Sequence, residues 1–100
     1  MKLLVVDMDQ DLVEMLTGWL KTLGYEVHRA YTGEQARKKW EEEQPDLVIL
    51  DSALKNTDAL AMCRDMRVKH DALVLVLTDG KDVQDEIHCL AIWRQRVILR

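Results

Sequence analysis

The stretch Asp46–Asp51 constrains the fold of this chain more than any other segment. Four consecutive large aliphatic residues stand between two carboxylates, and Pro45 precedes them. A short aliphatic run bounded by turn signals is typical of a strand buried on both faces, as in a parallel sheet. Asp51 would then be the first polar residue at the carboxyl end of a central strand, which is where functional residues cluster in open α/β sheets. The pattern predicts that the carboxylate at position 51 has a functional role.

The rest of the chain alternates between strand-like and helix-like segments. Strands are predicted at residues 2–7, 25–30, 46–51, 71–78 and 97–99, with a helical pattern between each pair. Strict alternation with short connections predicts a parallel sheet with right-handed crossovers and helices on both faces. A length of 100 residues suits one domain, so we expect residues 1–100 to form a single α/β unit of five strands and four helices.

Local signals mark where the helices begin and end. Asp9 or Asp11 is suited to cap the first helix, and Gly24 is suited to close it. The sequence Thr-Gly-Glu-Gln at 32–35 is a capping-box signature that opens a second helix, from Gly33 to about residue 43. The third helix follows the loop that ends at residue 58, and the fourth is expected at about 82–93.

The apolar positions of these helices predict much of the core. The first helix repeats apolar residues at helical spacing, and the tryptophans at positions 19, 40 and 93 are expected to be mostly core. The positions expected to be buried on the later helices are Ala36, Leu60, Cys63, Met66, Val83, Ile87, Leu90 and Ala91, with a less certain place for Ala59.

Composition and charge exclude several functions. The net charge is −4 and the basic residues are dispersed, which argues against nucleic-acid binding by this chain. No apolar run reaches the length of a membrane span, and no signal-peptide core follows the N-terminus. Cys63 and Cys89 have no paired spacing, so we expect reduced, buried thiols in a cytoplasmic protein. The histidines at 28, 70 and 88 show no metal-ligand spacing and are expected at the surface.

Three predicted strands end in polar residues, namely Asp7, Asp51 and Thr78. If the strand order is 2-1-3-4-5, the first and third strands are neighbours and both aspartates face one crevice, with Thr78 beside Asp51. Clustered carboxylates repel one another, so either one takes up a proton or a cation binds. An oxygen-lined site of this kind suits Mg²⁺. A carboxylate beside Mg²⁺ can attack a phosphoryl group and hold it as an acyl phosphate.

The order and spacing of six segments together carry a family resemblance. They are LVVD at 4–7, GYEV at 24–27, AYTGEQA at 30–36, PDLVILD at 45–51, DAL at 58–60 and VLT at 76–78. With them the chain resembles the receiver domains of two-component response regulators over essentially its whole length. The resemblance implies a flavodoxin-like fold, a role in phosphorelay signalling rather than catalysis, and a histidine kinase or phosphotransfer protein as the partner.

The resemblance also implies a role for each matching residue. Asp51 falls on the phosphoacceptor aspartate, and Asp7 falls on the first residue of the acidic pair that helps to bind Mg²⁺. Ala53 falls where a backbone carbonyl completes the protein ligands of the metal. Thr78 falls on the switch hydroxyl, and Arg100 falls on the position usually held by a lysine.

Several positions depart from the family pattern. Met8 replaces the second acid, and a thioether is a poor ligand for Mg²⁺. Val97 stands where an aromatic switch residue is usual, Asp79 replaces a small residue, and the loop at 54–59 lacks its usual proline and glycine. Arg100 keeps the charge of the lysine but not its compact ammonium. The last helix is missing, so we expect apolar surface that is exposed or filled by another chain. The resemblance also implies an effector domain or partner chain, and pairing as a homodimer is one form of such contact.

Two alternatives remain open at this point. Met8, Val97 and Arg100 favour a pseudo-receiver, an interaction module that signals without phosphorylation. The segment Asp7-Met8-Asp9-Gln10-Asp11 also resembles the nucleophile motif of haloacid dehalogenase-like phosphatases, with Asp9 as the general acid. The fifth position of that motif should be Thr or Val, the later acidic metal motif is missing and the chain is short for that fold, so this alternative is remote.

Overall fold

The computed structural model describes residues 1–78 and 96–99, which form three helices and five strands. In chain order the elements are β1 (Lys2–Val6), α1 (Gln10–Thr22), β2 (Glu26–Ala30), α2 (Gly33–Glu43), β3 (Leu47–Asp51), α3 (Ala59–Lys69), β4 (Leu73–Thr78) and β5 (Arg96–Leu99). The fourth predicted helix, with its expected core positions, and Cys89 lie outside the described residues.

The five strands form one parallel sheet in the order β2-β1-β3-β4-β5. Leu3 pairs with Val27 on one side and with Leu47 on the other, so β1 lies between β2 and β3. β3 in turn pairs with β4 from Leu47 to Asp51. The parallel α/β fold and its strand order are therefore confirmed, and β1 and β3 occupy the centre as their continuous aliphatic runs predict.

Helices cover both faces of the sheet, and each face has its own core. Alternate residues of β1 point to opposite faces because strand side chains have a period of two. Leu3 and Val5 pack with Val13 of α1, whereas Leu4 and Val6 pack with Trp40 of α2 and with residues of α3. Among the described helices, none has the length and apolar character that crossing a membrane requires.

The predicted caps fix where the helices begin and end. The carboxylate of Asp9 accepts a hydrogen bond from the Leu12 N–H (3.1 Å), so Asp9 rather than Asp11 caps α1. The Thr32 hydroxyl accepts a hydrogen bond from the Gln35 N–H (3.1 Å) at the start of α2. Gly24 follows α1 with φ +93°, a left-handed conformation that favours glycine.

Trp40 confirms the predicted core, whereas the prediction for Trp19 is wrong. Trp40 is fully buried and its indole N–H donates to the carbonyl of His70 (3.0 Å). Trp19 is 59% exposed although it lies on the apolar stripe of α1. Leu20 is buried, but Trp19 and Leu23 line an apolar groove of about 570 Å³ together with sheet residues such as Ile49, so this part of the stripe faces the groove.

The core of α3 is close to the expected one. Cys63 and Met66 are buried as predicted, and Ala59 packs partly buried against the same cluster. Met62 is also fully buried, although it was not among the predicted core positions. Met62 lies three residues after Ala59 and four before Met66, so it shares their face of α3, and helical spacing was sufficient to include it.

The loops that follow β2 and β3 meet at Gly33. A Cβ atom at position 33 would overlap Oγ1 of Thr57 and would lie 2.7 Å from its Cγ2. Gly33 is the first residue of α2, and Thr57 lies in the loop between β3 and α3. Position 33 therefore needs glycine for close approach, and the contact holds together two loops at the carboxyl edge of the sheet.

We expect Gly33→Ala to lower the free energy of unfolding by about 1–3 kcal/mol, because the added methyl group forces Thr57 and its loop to move. Urea unfolding of the full chain measures this change. Gly18→Ala in α1 is the matched control, since nothing lies within 4 Å of its added Cβ. Alanine is the better helix former, so the control should gain about 0.5–1 kcal/mol. Equal effects at both positions would contradict the packing explanation.

Candidate functional site

The register of the central strands brings Asp7 and Asp51 to the same edge of the sheet. Val6 pairs with Leu50 across β1 and β3, and each aspartate is the next residue along its strand. Both strands run in the same direction, so both carboxylates leave the sheet at its carboxyl end. The two residues are 2% and 6% exposed, respectively.

Each carboxylate is fixed by the loop that follows it. Oδ1 of Asp7 accepts a hydrogen bond from the Asp9 N–H (3.0 Å), and Oδ1 of Asp51 accepts one from the Ala53 N–H (3.1 Å). An aspartate that binds the backbone two residues ahead closes a tight turn. The same local geometry therefore orients both side chains and turns the chain away from the sheet.

The pair of aspartates suits a hard cation. Two buried carboxylates at adjacent strand ends repel each other, and a cation between them relieves that repulsion. Mg²⁺ is usually bound by one or two carboxylates and completes its shell with water and other oxygen atoms. Asp7 and Asp51 provide such a donor set, and the backbone carbonyl of exposed Ala53 is two residues beyond Asp51.

Met8 occupies the position next to this pair and bridges two loops. Its side chain is 37% exposed, and its sulfur accepts a hydrogen bond from the Lys55 N–H (3.4 Å). Met8 and Lys55 also border a cavity of about 390 Å³ that Tyr31 and Thr57 help to line. The thioether thus holds the loop after β1 against the loop after β3, at the mouth of the candidate site.

Two other residues of the predicted site, Thr78 and Val97, lie in β4 and β5. Thr78 is the last residue of β4 and follows Leu77, the β4 partner of Asp51, so it lies one position beyond Asp51 on the neighbouring strand. Val97 lies in β5 opposite Val76. Asp79 and Arg100 lie outside the described residues.

The expectation that the histidines are surface groups is wrong for His28 and His70. His70 is half-buried, and its Nε2 donates to the carbonyl of Pro45 (2.8 Å). His28 is also half-buried and lies against Glu26 and Glu43. The partner at position 43 is fifteen residues away in the sequence, so no short spacing signal could have revealed this group.

Comparison with known proteins identifies the fold and the family. The sequence profile of the response regulator receiver domain matches residues 3–99. A two-component response regulator from Clostridium difficile superposes with a TM-score of 0.91 at 24% identity, over 99% of this chain and 82% of that chain. At that identity the likeness shows the fold alone.

Two further structures were solved with ligands or modifications of their own. The response regulator protein TrrA from Thermotoga maritima, in complex with Mg²⁺ and BeF, is 29% identical with a TM-score of 0.83, over 99% of this chain and 85% of that chain. A response regulator from Burkholderia pseudomallei carries a phosphorylated aspartic acid, a calcium ion and citrate; it is 22% identical with a TM-score of 0.85, over 96% of this chain and 58% of that chain.

The geometry at Asp9 predicts a role in helix capping. We expect Asp9→Ala to lower the free energy of unfolding by about 0.5–2 kcal/mol, because the Leu12 N–H loses its partner at the start of α1. Asp9→Asn removes the charge but keeps an acceptor oxygen, so it should retain most of the stability. Denaturant unfolding compares the three proteins. If Asn were as destabilising as Ala, the charge rather than the cap would be the important property.

Proposed function

The chain belongs to the response regulator receiver domain family, and on that basis we propose that it accepts a phosphoryl group on Asp51 from a histidine kinase or a phosphotransfer protein. Domains of this family act as signalling modules in two-component systems. Phosphorylation of Asp51 would switch the binding of a downstream partner.

The observation that carries this proposal is the pair of buried aspartates on adjacent strands. Asp51 is the last residue of the central strand β3; it and Asp7 each come directly after the Val6–Leu50 pair, and a backbone N–H of the following loop orients each carboxylate. A nucleophile needs a fixed direction of approach, and holding it in place removes much of the entropic cost of reaction. The geometry supports Asp51 as the acceptor and Asp7 as its acidic partner.

The proposed reaction transfers one phosphoryl group between side chains. A carboxylate oxygen of Asp51 attacks the phosphorus of a phosphohistidine and forms an acyl phosphate. The P–N bond breaks as the P–O bond forms, and its electron pair returns to the imidazole of the donor. The developing charge on the phosphoryl oxygens needs positive charge or hydrogen-bond donors close by.

The acidic pair fits Mg²⁺, which would supply that positive charge when it is bound. Asp7, Asp51 and the backbone carbonyl of Ala53 would hold the ion, and Met8 deprives the site of a further carboxylate. The Thr78 hydroxyl would bind a phosphoryl oxygen in the modified state, and Arg100 would contribute a cationic partner for the phosphoryl group. The Mg²⁺–BeF complex of the similar TrrA protein supports an ion of this kind.

The wider setting follows from the same family membership. We place the module, residues 1–100, in the cytoplasm as a binding and signalling domain rather than an enzyme. Its partners would be the phosphodonor protein and an effector domain or partner chain, with a homodimer as one form of the latter. The net charge of −4 gives no support to nucleic-acid binding by this chain.

A phosphorylation-independent pseudo-receiver is the second candidate function. The contact from the Met8 sulfur to the Lys55 N–H favours it, because it links the two loops with a thioether in the position of the missing acid. A site closed in this way could present a fixed surface to a partner without phosphorylation. The two candidates differ in whether Mg²⁺ binds and whether Asp51 reacts.

We expect a small phosphodonor such as acetyl phosphate, together with Mg²⁺, to add a single phosphoryl group to the protein. Intact-mass measurement detects the adduct, and peptide mapping after borohydride reduction assigns it to Asp51. Asp51→Asn is nearly the same size and keeps an oxygen acceptor for the Ala53 N–H, so it should fold normally and remain unmodified.

The pattern of adducts separates the candidate functions. Failure of the wild-type chain to gain mass at any Mg²⁺ concentration would reject the phosphorelay proposal and favour the pseudo-receiver. An adduct that persists in Asp51→Asn would place the modification at another residue.

We expect Met8→Asp to increase the affinity for Mg²⁺ by about tenfold or more, a change of ~1.4 kcal/mol, because it adds a hard anionic ligand beside Asp7. Mg²⁺ titration followed by NMR shifts around Asp51 measures the affinity. Met8→Leu is the control, since it loses the sulfur acceptor without adding an oxygen and should leave the affinity nearly unchanged. An unchanged affinity in Met8→Asp would show that position 8 does not face the metal.

A further inference from the structure

A second polar cluster lies at the opposite edge of the sheet from Asp7 and Asp51. Glu26 and His28 are the first and third residues of β2, so their side chains share one face of that strand. Glu43 is the last residue of α2, which covers that face. Lys2 is the first residue of β1 and pairs with Glu26, so the cluster lies at the amino ends of the strands.

The side-chain atoms of this cluster converge on one point. Nε2 of His28 is 2.7 Å from Oε2 of Glu26 and 3.3 Å from Oε1 of Glu43. One ligand atom from each of the three residues lies within 4.8 Å of the other two. Ligands about 2.0–2.1 Å from a tetrahedral zinc ion are roughly 3.3–3.4 Å from one another, so small side-chain rotations would complete such a geometry.

The electrostatic environment favours a cation at this point. The last turn of α2 carries three glutamates and no basic residue, and the helix directs its free carbonyl groups here. The ammonium of Lys2 donates to the Glu43 carbonyl (3.0 Å) and lies 3.6 and 3.7 Å from the carboxylates of Glu26 and Glu43. One lysine therefore offsets only part of the negative charge of a helix end and two carboxylates.

The carboxylate of Glu26 is prepared to act as an anion. The hydrogen bond from His28, aided by the charge of Lys2, lowers the pKa of Glu26 below its usual value. His28 and Glu43 are only 23% and 29% exposed, whereas Glu26 is 59% exposed. Packing therefore restrains the side chains of His28 and Glu43, whereas the solvent-exposed side chain of Glu26 can change its conformation.

We propose that Glu26, His28 and Glu43 form a binding site for a divalent transition-metal ion of the Zn²⁺ class. One imidazole and two carboxylates suit Zn²⁺ better than Mg²⁺, which prefers oxygen ligands alone. With three protein ligands and an open side towards solvent, water takes the remaining coordination position. The site joins the start of β2 to the end of α2.

Metal binding changes the hydrogen bonds of the cluster. The carboxylate of Glu26 can only accept from a neutral or charged imidazole, so Nε2 of His28 carries a proton in the metal-free arrangement. Ligation through Nε2 requires that proton to leave this nitrogen, so the metal-bound imidazole is the neutral tautomer that carries its proton on Nδ1. Lys2 competes with the metal for both carboxylates, and its removal should therefore strengthen metal binding.

Zinc titration of the full chain, measured by calorimetry in excess Mg²⁺, tests this proposal. We expect one equivalent of Zn²⁺ to bind, at least a tenfold loss of affinity in His28→Gln and Glu43→Gln, and a gain in Lys2→Met. Lys21→Met is the matched control: it makes the same change of side chain and charge at the exposed end of α1, on the other face of the sheet, and should leave the affinity unchanged.

The fold and the aspartate site are checked in the same proteins. Zinc should raise the melting temperature of the wild-type chain and raise that of His28→Gln by less, since the stabilisation grows with affinity for the folded state. Asp51→Asn should bind zinc as the wild-type chain does, so failure of the phosphorelay proposal leaves this one intact. Unchanged zinc affinity in His28→Gln and Glu43→Gln would overturn the proposal, as would zinc binding that Asp51→Asn abolishes.

Discussion

The parallel pairing of β1 with β3 is the constraint on which the rest of the structure depends. Both strands are aliphatic on both faces, so each can be buried only between two other strands and two layers of helix. Their register aligns Val6 with Leu50 and leaves Asp7 and Asp51 as the next residues of adjacent strands. A shift by one residue would turn every side chain of β1 to the opposite face, and the aspartates would separate. The requirement for a packed core therefore also fixes the candidate site.

This arrangement stores electrostatic repulsion where the proposed chemistry occurs. Two nearly buried carboxylates at adjacent strand ends oppose folding unless a donor or a cation compensates them. The N–H groups of Asp9 and Ala53 provide part of that compensation and orient the carboxylates as well. The thioether of Met8 adds no charge to the site, so it adds neither further repulsion nor a hard ligand for the proposed Mg²⁺ ion. Its sulfur accepts a hydrogen bond from the Lys55 N–H, which links the two loops.

Sequence patterns predicted the features that depend on short spacing and missed those that depend on distant packing. The aliphatic runs located the strands, and the residues around Asp9 and Thr32 located two helix starts, because strand burial and capping are local effects. The prediction for Trp19 was wrong because helical spacing shows which face of α1 is apolar but not how much of that face is covered by the sheet. The His28 cluster was missed for a related reason: its third ligand comes from another element, and only the parallel fold brings them together. Asp7 and Asp51 could be paired in advance only on the condition that the strand order is 2-1-3-4-5, because alternation predicts a parallel sheet but not which strands are neighbours.

Helix direction gives the two edges of the sheet opposite electrostatic characters. In a parallel α/β fold the helices run antiparallel to the strands, so their N-termini gather at the carboxyl edge and their C-termini at the amino edge. The N-terminus of α1 is capped by Asp9 and that of α3 by Asp58, both beside the loops of the candidate site, where positive helix ends also favour a phosphoryl group. At the other edge the C-terminus of α2 and Glu43 concentrate negative charge, which Lys2 only partly balances. The proposed phosphoryl transfer at one edge and the proposed zinc site at the other are therefore both consistent with one topology, and the nitrogen ligand of His28 would distinguish the second site from the oxygen-only pair of aspartates.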